Sequence, residues 1–290
     1  MDASMKFLFL LLFLNIHAWA EWSVSTYNIR NFDNDPSAGG TNIEALGKII
    51  KEIKSDVMAF EEVVNKVAFT SLIKNNLPGY EYKISTCGGF GKQYLAVVYN
   101  PKIFKFVKKK EDLSLSGQRD QCGSLRPIFL VTLKKINADD HYTFGALHLK
   151  AGGSSEAMMI RWNQYEKLQN FALKSNDENL IFLGDFNTTG FNIRNQDFEK
   201  FNKFLSESRM KSLSETIGCT SYWKGLGQEA EFQSSILDHV VIPQNLLSSV
   251  DTVRAGAHCA AFDCHPATPD ALGMSFQSVS DHCPVKVTFN

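Results

Sequence analysis

The feature that most constrains this chain is a series of short apolar runs, each stopped by a residue with chemistry to offer. Trp22 to Tyr27 is followed by Asn28, Asp56 to Phe60 by Glu61 and Glu62, and Phe144 to Leu147 by His148. Leu180 to Gly184 is followed by Asp185 and Asn187, Ile236-Leu237 by Asp238 and His239, and Asp281-His282 precede Val285 to Phe289. Short continuous apolar runs bounded by polar residues read as strands buried in a core. Carboxylate, carboxamide and imidazole groups are thereby placed at the rim of that core.

Helical spacing separates these runs. Ile43, Leu46, Ile49, Ile50 and Ile53 share one helical face. Lys66 to Lys74 reads as a helix ended by Leu77-Pro78-Gly79, Ser154 or Ser155 is placed to cap a long helix to Leu173, and Asp197 to Leu205 reads as another. Further strands are expected at Tyr80–Ser85, Tyr94–Tyr99 and Ile128–Leu133. Strands and outer helices in this order suit two sheets packed face to face, an α/β fold with helices outside. A single doubly wound sheet is the alternative, but no Gly-rich turn follows the first strand to give it a nucleotide site. There is no internal repeat and no low-complexity linker.

With 44% hydrophobic residues, 290 positions supply enough apolar surface for a full core. Thirty basic against 31 acidic residues leave a formal charge of −1, so no global basic field exists to hold a polyanion. Lys105, Lys108, Lys109 and Lys110 form a local basic run, but Glu111 and Asp112 follow at once, and a solvated turn is the expected reading. At the N-terminus, Phe7 to Ile16 and the Ala18-Trp19-Ala20 site have the form of a secretory signal cleaved after Ala20. The expectation is a leader over 1–20 and one catalytic domain over 21–290, released outside the cell or into a periplasm as a monomer without stable membrane association. Six cysteines fit export and disulfides. Among the open connectivities, Cys87–Cys122, Cys259–Cys264 and Cys219–Cys283 are the expected pairs. Zinc is the weaker reading, because no CxxC pair occurs.

Taken singly, a strand-end Asp is usually a turn residue and a strand-end His a satisfied surface group. Together, two Asp-His neighbours, a Glu, an Asp-x-Asn and a strand-end Asn form an inventory suited to phosphoryl chemistry on a hard cation, with imidazoles for proton transfer. The motifs are more specific still. Val24-Ser25-Thr26-Tyr27-Asn28-Ile29, Asp56 to Val63, Leu183-Gly184-Asp185-Phe186-Asn187 and Ser280-Asp281-His282-Cys283-Pro284-Val285 resemble, in order, the motifs of the endonuclease/exonuclease/phosphatase superfamily. That resemblance spans nearly all the expected mature chain and implies a four-layer α/β/β/α sandwich. Tyr27 to Phe32, Gly145-Ala146-Leu147-His148 and Cys122 to Pro127 are most similar to the deoxyribonuclease I-like branch. Three positions depart from it. Glu61 replaces a glutamine, Lys92 stands where a carboxylate orients the histidine, and Val64 or Asn65 takes the place of an arginine that enters the minor groove.

The resemblance implies a secreted, divalent-metal-dependent phosphodiesterase, foremost an endonuclease of DNA, with RNA also open. It implies Mg²⁺, or else Mn²⁺ or Ca²⁺, on Glu62 with Asn28 and Asp281. Asp185 would position or deprotonate water, and Asn187 and Asn28 would bind the phosphate. His282 would contact the phosphate with Asp238 behind it, and His148 would be the acid for the leaving oxygen. Arg126 is a phosphate clamp because its fork meets two oxygens. Lys92 is placed to touch substrate, and Phe90, in a Gly88-Gly89-Phe90-Gly91 loop, to stack on a sugar or base. His239 is left out, since on a strand it faces away from Asp238. A sphingomyelinase-like or inositol-phosphate phosphodiesterase is the rival within the fold. His148-Leu149-Lys150-Ala151 departs from the His-x-Gln of those branches, and Trp223 is the one hint of a bilayer-seeking aromatic. An inactive binding or toxin module is the rival of another class. The intact set Glu62, His148, Asp185, Asn187, Asp238 and His282 argues against it.

Overall fold

The apolar runs do become strands, and the amphipathic segments become helices capped as their sequences direct. The computed structural model describes residues 21–33, 40–118, 120–175, 177–191, 193–224 and 230–290; the expected leader over 1–20 lies outside them. In chain order the elements are β1 (Trp22–Asn28), α1 (Ile43–Ile53), β2 (Val57–Val63), α2 (Lys66–Asn76), β3 (Glu81–Ile84), β4 (Tyr94–Tyr99), β5 (Phe104–Asp112), β6 (Ile128–Lys135), β7 (His141–His148), α3 (Ser155–Ser175), β8 (Leu180–Asp185), α4 (Gln196–Glu207), β9 (Met210–Ser212), β10 (Ser221–Trp223), β11 (Gln233–Ser235), β12 (Asp238–Pro243), β13 (Val250–Ala255), α5 (Ala257–Phe262), α6 (Pro269–Gln277) and β14 (Val285–Phe289). Side chains of Asn42, Asn65 and Asn195 accept from the first-turn N–H groups of α1, α2 and α4, and Ser154 does the same for α3.

One sheet has the order β13-β14-β1-β2-β4-β3, the other β5-β6-β7-β8-β12-β9. Their facing sides share one core, with Trp22, Val24, Val97, Phe129, Phe144, Leu183, Val240 and Val287 among its members. A second core lies under α1 and α2, where Leu46, Ile50, Phe69 and Ile73 cover Met58, Phe60 and Val98. A third lies under α3 and α4, where Tyr165, Leu168, Phe201 and Phe204 cover Leu130, Phe182 and Val241. These three cores are the three seams of an α/β/β/α sandwich, as expected from the sequence. Ile43, first on the expected α1 face, is exposed instead.

Two readings are corrected. The lysine run is not a turn but β5, the edge strand, paired with β6 from Phe104↔Lys135 to Asp112↔Ile128. Phe104 anchors it in the core while the lysines face water, which discourages pairing with another chain's edge. The bonded cysteines are Cys87–Cys122, as expected, but also Cys219–Cys264 and Cys259–Cys283. Cys259 sits inside α5, where its N–H meets the Cys283 sulfur at 3.1 Å. Cys264 lies beyond the helix end in a left-handed turn beside Gly218. Proximity in sequence therefore misled, because the helix aims the two thiols differently. These bridges lace α5, α6, β10 and the approach to β14 into a small fourth cluster.

His239 shows the alternation of β12 plainly. It points away from Asp238 into the α4 seam, against Phe186, Phe191 and Phe201, with Nδ1 2.8 Å from the Ser212 hydroxyl. Burial pulls its pKa down to about 3. The unfolded chain takes that proton near pH 6.5, so this group's stabilising neutrality is complete above that value and is lost as pH falls toward about 3. His239→Phe, although weakened at pH 7 by the lost hydrogen bond, is expected to lose about 3 kcal/mol less than the parent chain between pH 7 and pH 4 in urea titrations. Equal losses would refute this. Non-reducing peptide mapping is expected to recover Cys219 linked to Cys264 and Cys259 linked to Cys283.

Candidate active site at the strand ends

Register brings the polar strand ends together. In the first sheet β1 runs parallel to β2 with Asn28 opposite Glu61. In the second, β7 runs parallel to β8 with His148 opposite Asp185, and β12 runs antiparallel with Asp238 opposite that same Asp185. Parallel pairing aligns C-terminal ends, and the antiparallel neighbours β12 and β14 contribute their N-terminal ends. Gly184 permits the closest approach: at φ +150°, a Cβ there would lie 2.1 Å from the Leu147 carbonyl oxygen.

On β2 the register slips between Phe60↔Ala96 and Val63↔Tyr94, so Glu61 and Glu62 together face the single residue Leu95. That bulge aims both carboxylates at the site. Glu62 sits at φ +61° and Asn187 at φ +52°. Two non-glycine residues in the left-handed region are strained positions held by their surroundings, as functional side chains often are.

Asp185 is the hub. Its Oδ2 accepts from Asn28 Nδ2 at 3.0 Å and lies 3.6 Å from His148 Nε2 and 3.8 Å from His282 Nε2. Its Oδ1 accepts from the Asn187 backbone N–H at 2.8 Å. Glu62 Oε1 accepts from Asn28 Nδ2 at 3.2 Å and stands 3.6 Å from His148 Nε2, while Oε2 accepts from the Asn31 N–H at 2.7 Å. Asp238 meets His282 Nδ1 at 2.9 Å and accepts nothing from His239. Ser280 ties the approach of β14 to the end of β1 within the first sheet, donating to the Asn28 carbonyl at 2.7 Å and accepting from the His282 N–H at 3.1 Å.

The charges are unequal by design of the surroundings. Burial pushes the His282 imidazole down, but Asp238, Asp185 and Asp281 outweigh it and hold His282 protonated well above its ordinary range. His148 goes the other way. Burial, with Arg126 and His282 nearby, keeps it neutral despite the carboxylate oxygens at 3.6 Å. Its Nδ1 is buried with no hydrogen-bond partner among the described residues. Burial also raises Glu62, and raises Glu61 well above the carboxylate range with Asp238 adding to it. Glu61 Oε1 accepts from the Thr26 hydroxyl at 2.8 Å.

Carboxylates, carboxamides and imidazoles meet at this end of the sandwich, and among the described residues the acids outnumber the compensating cations. Asp281 Oδ1 is buried without a hydrogen-bond partner among the described residues. Ligand atoms of Asp185, Asp238 and His282 lie within 4.8 Å of one another. Hard oxygen donors in surplus fit a divalent cation, which would relieve the crowded negative charge. Glu62 stands beside that group, since the Asn28 amide donates to both Glu62 Oε1 and Asp185 Oδ2. The other clustered group, His258 with Cys259 and Cys283, is taken up by a disulfide.

The remaining expected residues fall at the edge. Arg126 is half-buried, donating through Nε to the His148 carbonyl at 3.0 Å and through Nη2 to the Leu149 carbonyl at 2.6 Å. Phe90 and Lys92 are exposed on the rim loop, outside the hydrogen-bonded cluster. Asn65, in the place of the minor-groove arginine, is the α2 cap and also donates to Asp33. A buried clamp was missed altogether. Arg161 on α3 is wholly buried and binds Asp197 of α4 at 2.6 Å, plus the carbonyls of Lys150 and Gly152. Asp197 also accepts from the Thr189 N–H at 2.7 Å, and Tyr165 meets Thr188 at 2.7 Å. The segments after His148 and after Asn187 are thus fixed to one ion pair. An arginine within the apolar stripe Ala157, Tyr165, Leu168 was the sequence signal for it.

This fold and site define a metal-dependent hydrolase of phosphate esters. The chain belongs to the Endonuclease/Exonuclease/phosphatase family, whose family model matches residues 25–282. Solved structures share the fold at low identity. D. rerio TDP2 complexed with single strand DNA product aligns with a TM-score of 0.65 at 14% identity, covering 93% of this chain and 99% of that one. The human nocturnin catalytic domain with bound sulfate anion gives 0.62 at 15%, covering 93% and 94%. The Bacteroides thetaiotaomicron mannosyl-6-phosphatase Bt3783 gives 0.61 at 20%, covering 93% and 99%. No curated protein matches the chain significantly.

Asp197→Asn leaves the Arg161 charge buried and unpaired, so urea titration is expected to show a loss of about 3–5 kcal/mol. Pairing it with Arg161→Met should recover part of that loss. A double variant as weak as the sum of the two singles would show that the pair does not act as a unit.

Proposed function

We propose that this chain is an exported phosphodiesterase that hydrolyses nucleic acid, DNA foremost, with Mg²⁺ held by Glu62, Asn28 and Asp281. The observation that carries the reading is the focus on Asp185 Oδ2, which Asn28 Nδ2 and both imidazole Nε2 atoms approach within 3.8 Å. One carboxylate surrounded by donors is the arrangement that orients a water for attack on phosphorus. The cation, when bound, would polarise a non-bridging phosphate oxygen and offset charge as the phosphorane forms.

The residues divide the rest. Asp185 holds and deprotonates the water. Asn28 and Asn187 donate to phosphate oxygens. His282, kept cationic by Asp238, donates a charged hydrogen bond to the phosphate. His148 is neutral, so it serves the leaving oxygen as a hydrogen-bond donor, and the proton that completes the leaving hydroxyl comes from solvent water. This tempers the acid role that the family resemblance implies. Arg126, anchored by two carbonyls, adds positive potential beside His148. Phe90 and Lys92 reach substrate from the rim loop. The leader-like residues 1–20 and three disulfides support export, with 21–290 acting as one catalytic domain. No helix among the described residues is long and apolar enough to cross a membrane.

The test is direct. Purified protein is incubated with plasmid DNA, RNA and sphingomyelin vesicles, each with Mg²⁺ or with EDTA. Nucleic acid should be cut with Mg²⁺ and spared with EDTA; lipid turnover beside intact nucleic acid would sink the nuclease reading. Asp185→Asn, which keeps the shape and relieves acid crowding, should lower kcat by about 10²–10⁴-fold. Its melting temperature should not fall, and near-normal kcat would overturn the site assignment.

A further inference from the structure

Of the exposed large apolar side chains among the described residues, two are aromatic rings, Phe90 at 86% exposure and Trp223 at 47%. Chain and strand connections carry both toward this site, from opposite banks. Phe90 lies on the Glu62 side. Its loop is stapled by Cys87–Cys122 and joined to the cluster through Gln93 Nε2, which donates to Asn31 Oδ1 at 2.8 Å, with Asn31 N–H on Glu62. Trp223 lies on the His282 side, and its placement follows from strand geometry.

Ser221 of β10 bridges His282 in antiparallel fashion, and the Tyr222 N–H donates to the Asp281 carbonyl at 2.9 Å. Residues opposed across antiparallel strands send their side chains to the same face, and a step of two along a strand returns to that face. Trp223 therefore stands on the face that carries the His282 imidazole, two residues or roughly 7 Å further along the ribbon. Tyr222, between them, takes the other face. It is buried, donates to the His265 carbonyl at 3.0 Å and packs against His258. Packing thus uses Tyr222 and leaves the indole facing solvent beside the phosphate position.

We propose that Trp223 is a stacking platform for the nucleobase adjoining the phosphate held at His282 and Asp185, and that it directs the site toward single-stranded nucleic acid. This rests on the nuclease reading above. A ring can stack only on a base whose face is free, which a duplex does not offer and a splayed single strand does. The surroundings favour a nucleotide over a bilayer: Trp223 pairs across the ribbon with Gln233, and Ser221 with Ser235, whose hydroxyls meet at 2.8 Å. A polar ribbon face with one aromatic ring suits a base and its backbone, whereas insertion into lipid needs a contiguous apolar surface.

The experiment compares the parent chain with Trp223→Ala and Trp223→Phe. Tryptophan fluorescence is titrated with oligo(dT) in EDTA, where no turnover occurs, and steady-state cleavage of the same oligonucleotide is measured with Mg²⁺. The parent should be quenched by oligo(dT), and Trp223→Ala should lose most of the quench. Its KM for the single strand should rise roughly 10- to 100-fold, the contribution of one stacked base, with the effect on KM rather than kcat. Trp223→Phe should restore most of the affinity. Unchanged oligo(dT) binding by Trp223→Ala, with the parent cutting DNA normally, would overturn this proposal and leave the nuclease reading intact. A parent that cuts no nucleic acid would overturn the nuclease reading itself. Hydrolysis of sphingomyelin vesicles, with vesicle binding lost in Trp223→Ala, would make the ring a membrane contact and overturn the proposal.

Discussion

The structure depends on accommodating a knot of negative charge at one end of the sandwich. Glu61, Glu62, Asp185, Asp238 and Asp281 converge there, and buried carboxylates persist only when paired, hydrogen-bonded or neutralised. Each is handled differently. Asp238 is answered by the His282 imidazolium, Asp185 by the Asn28 amide and the Asn187 N–H, and Glu62 by Asn28 and the Asn31 N–H. Glu61 accepts from the Thr26 hydroxyl, and burial holds its pKa well above the carboxylate range. The Asp281 Oδ1 is left without a partner among the described residues, and the surplus charge is what a divalent cation would take up.

Holding such a cluster demands rigidity from elements remote from it. The Arg161–Asp197 pair ties α3 and α4 to the two segments that leave β7 and β8, so the positions of His148 and Asn187 are set by an interaction that touches neither. On the other flank, Ser280 joins the approach of β14 to the end of β1, and Cys259–Cys283 fixes that approach to α5. The second sheet's helices are secured by an ion pair and the first sheet's flank by a disulfide, and the Asn28 amide on Asp185 joins the two halves of the site.

The two imidazoles illustrate how position, rather than residue type, assigns role. His282 and His148 stand at similar distances from one Asp185 oxygen, yet one is cationic and the other neutral. The difference is the carboxylate behind His282 Nδ1, which His148 lacks. A cationic imidazole and a neutral one, set around the same carboxylate, follow from that single asymmetry.

Much of this was written in the order of residues. Strand and helix periods located β1, α1, β4 and β14 almost to the residue, because a strand buried on both faces leaves a continuous apolar run and a helix a one-sided stripe. The same runs pointed to Asn28, Glu62, His148, Asp185, Asp238 and His282, since a polar group where a core strand ends has few places to go but a rim. What the sequence could not state was pairing at a distance. The Cys219–Cys264 and Cys259–Cys283 bridges, the edge position of β5, the Arg161–Asp197 clamp and the nearness of Trp223 to His282 depend on which strands lie side by side and on which way a helix turns a side chain. Local spacing carries the chemistry of each residue, but only the packed sheets decide which residues meet, because those contacts join segments far apart in the chain.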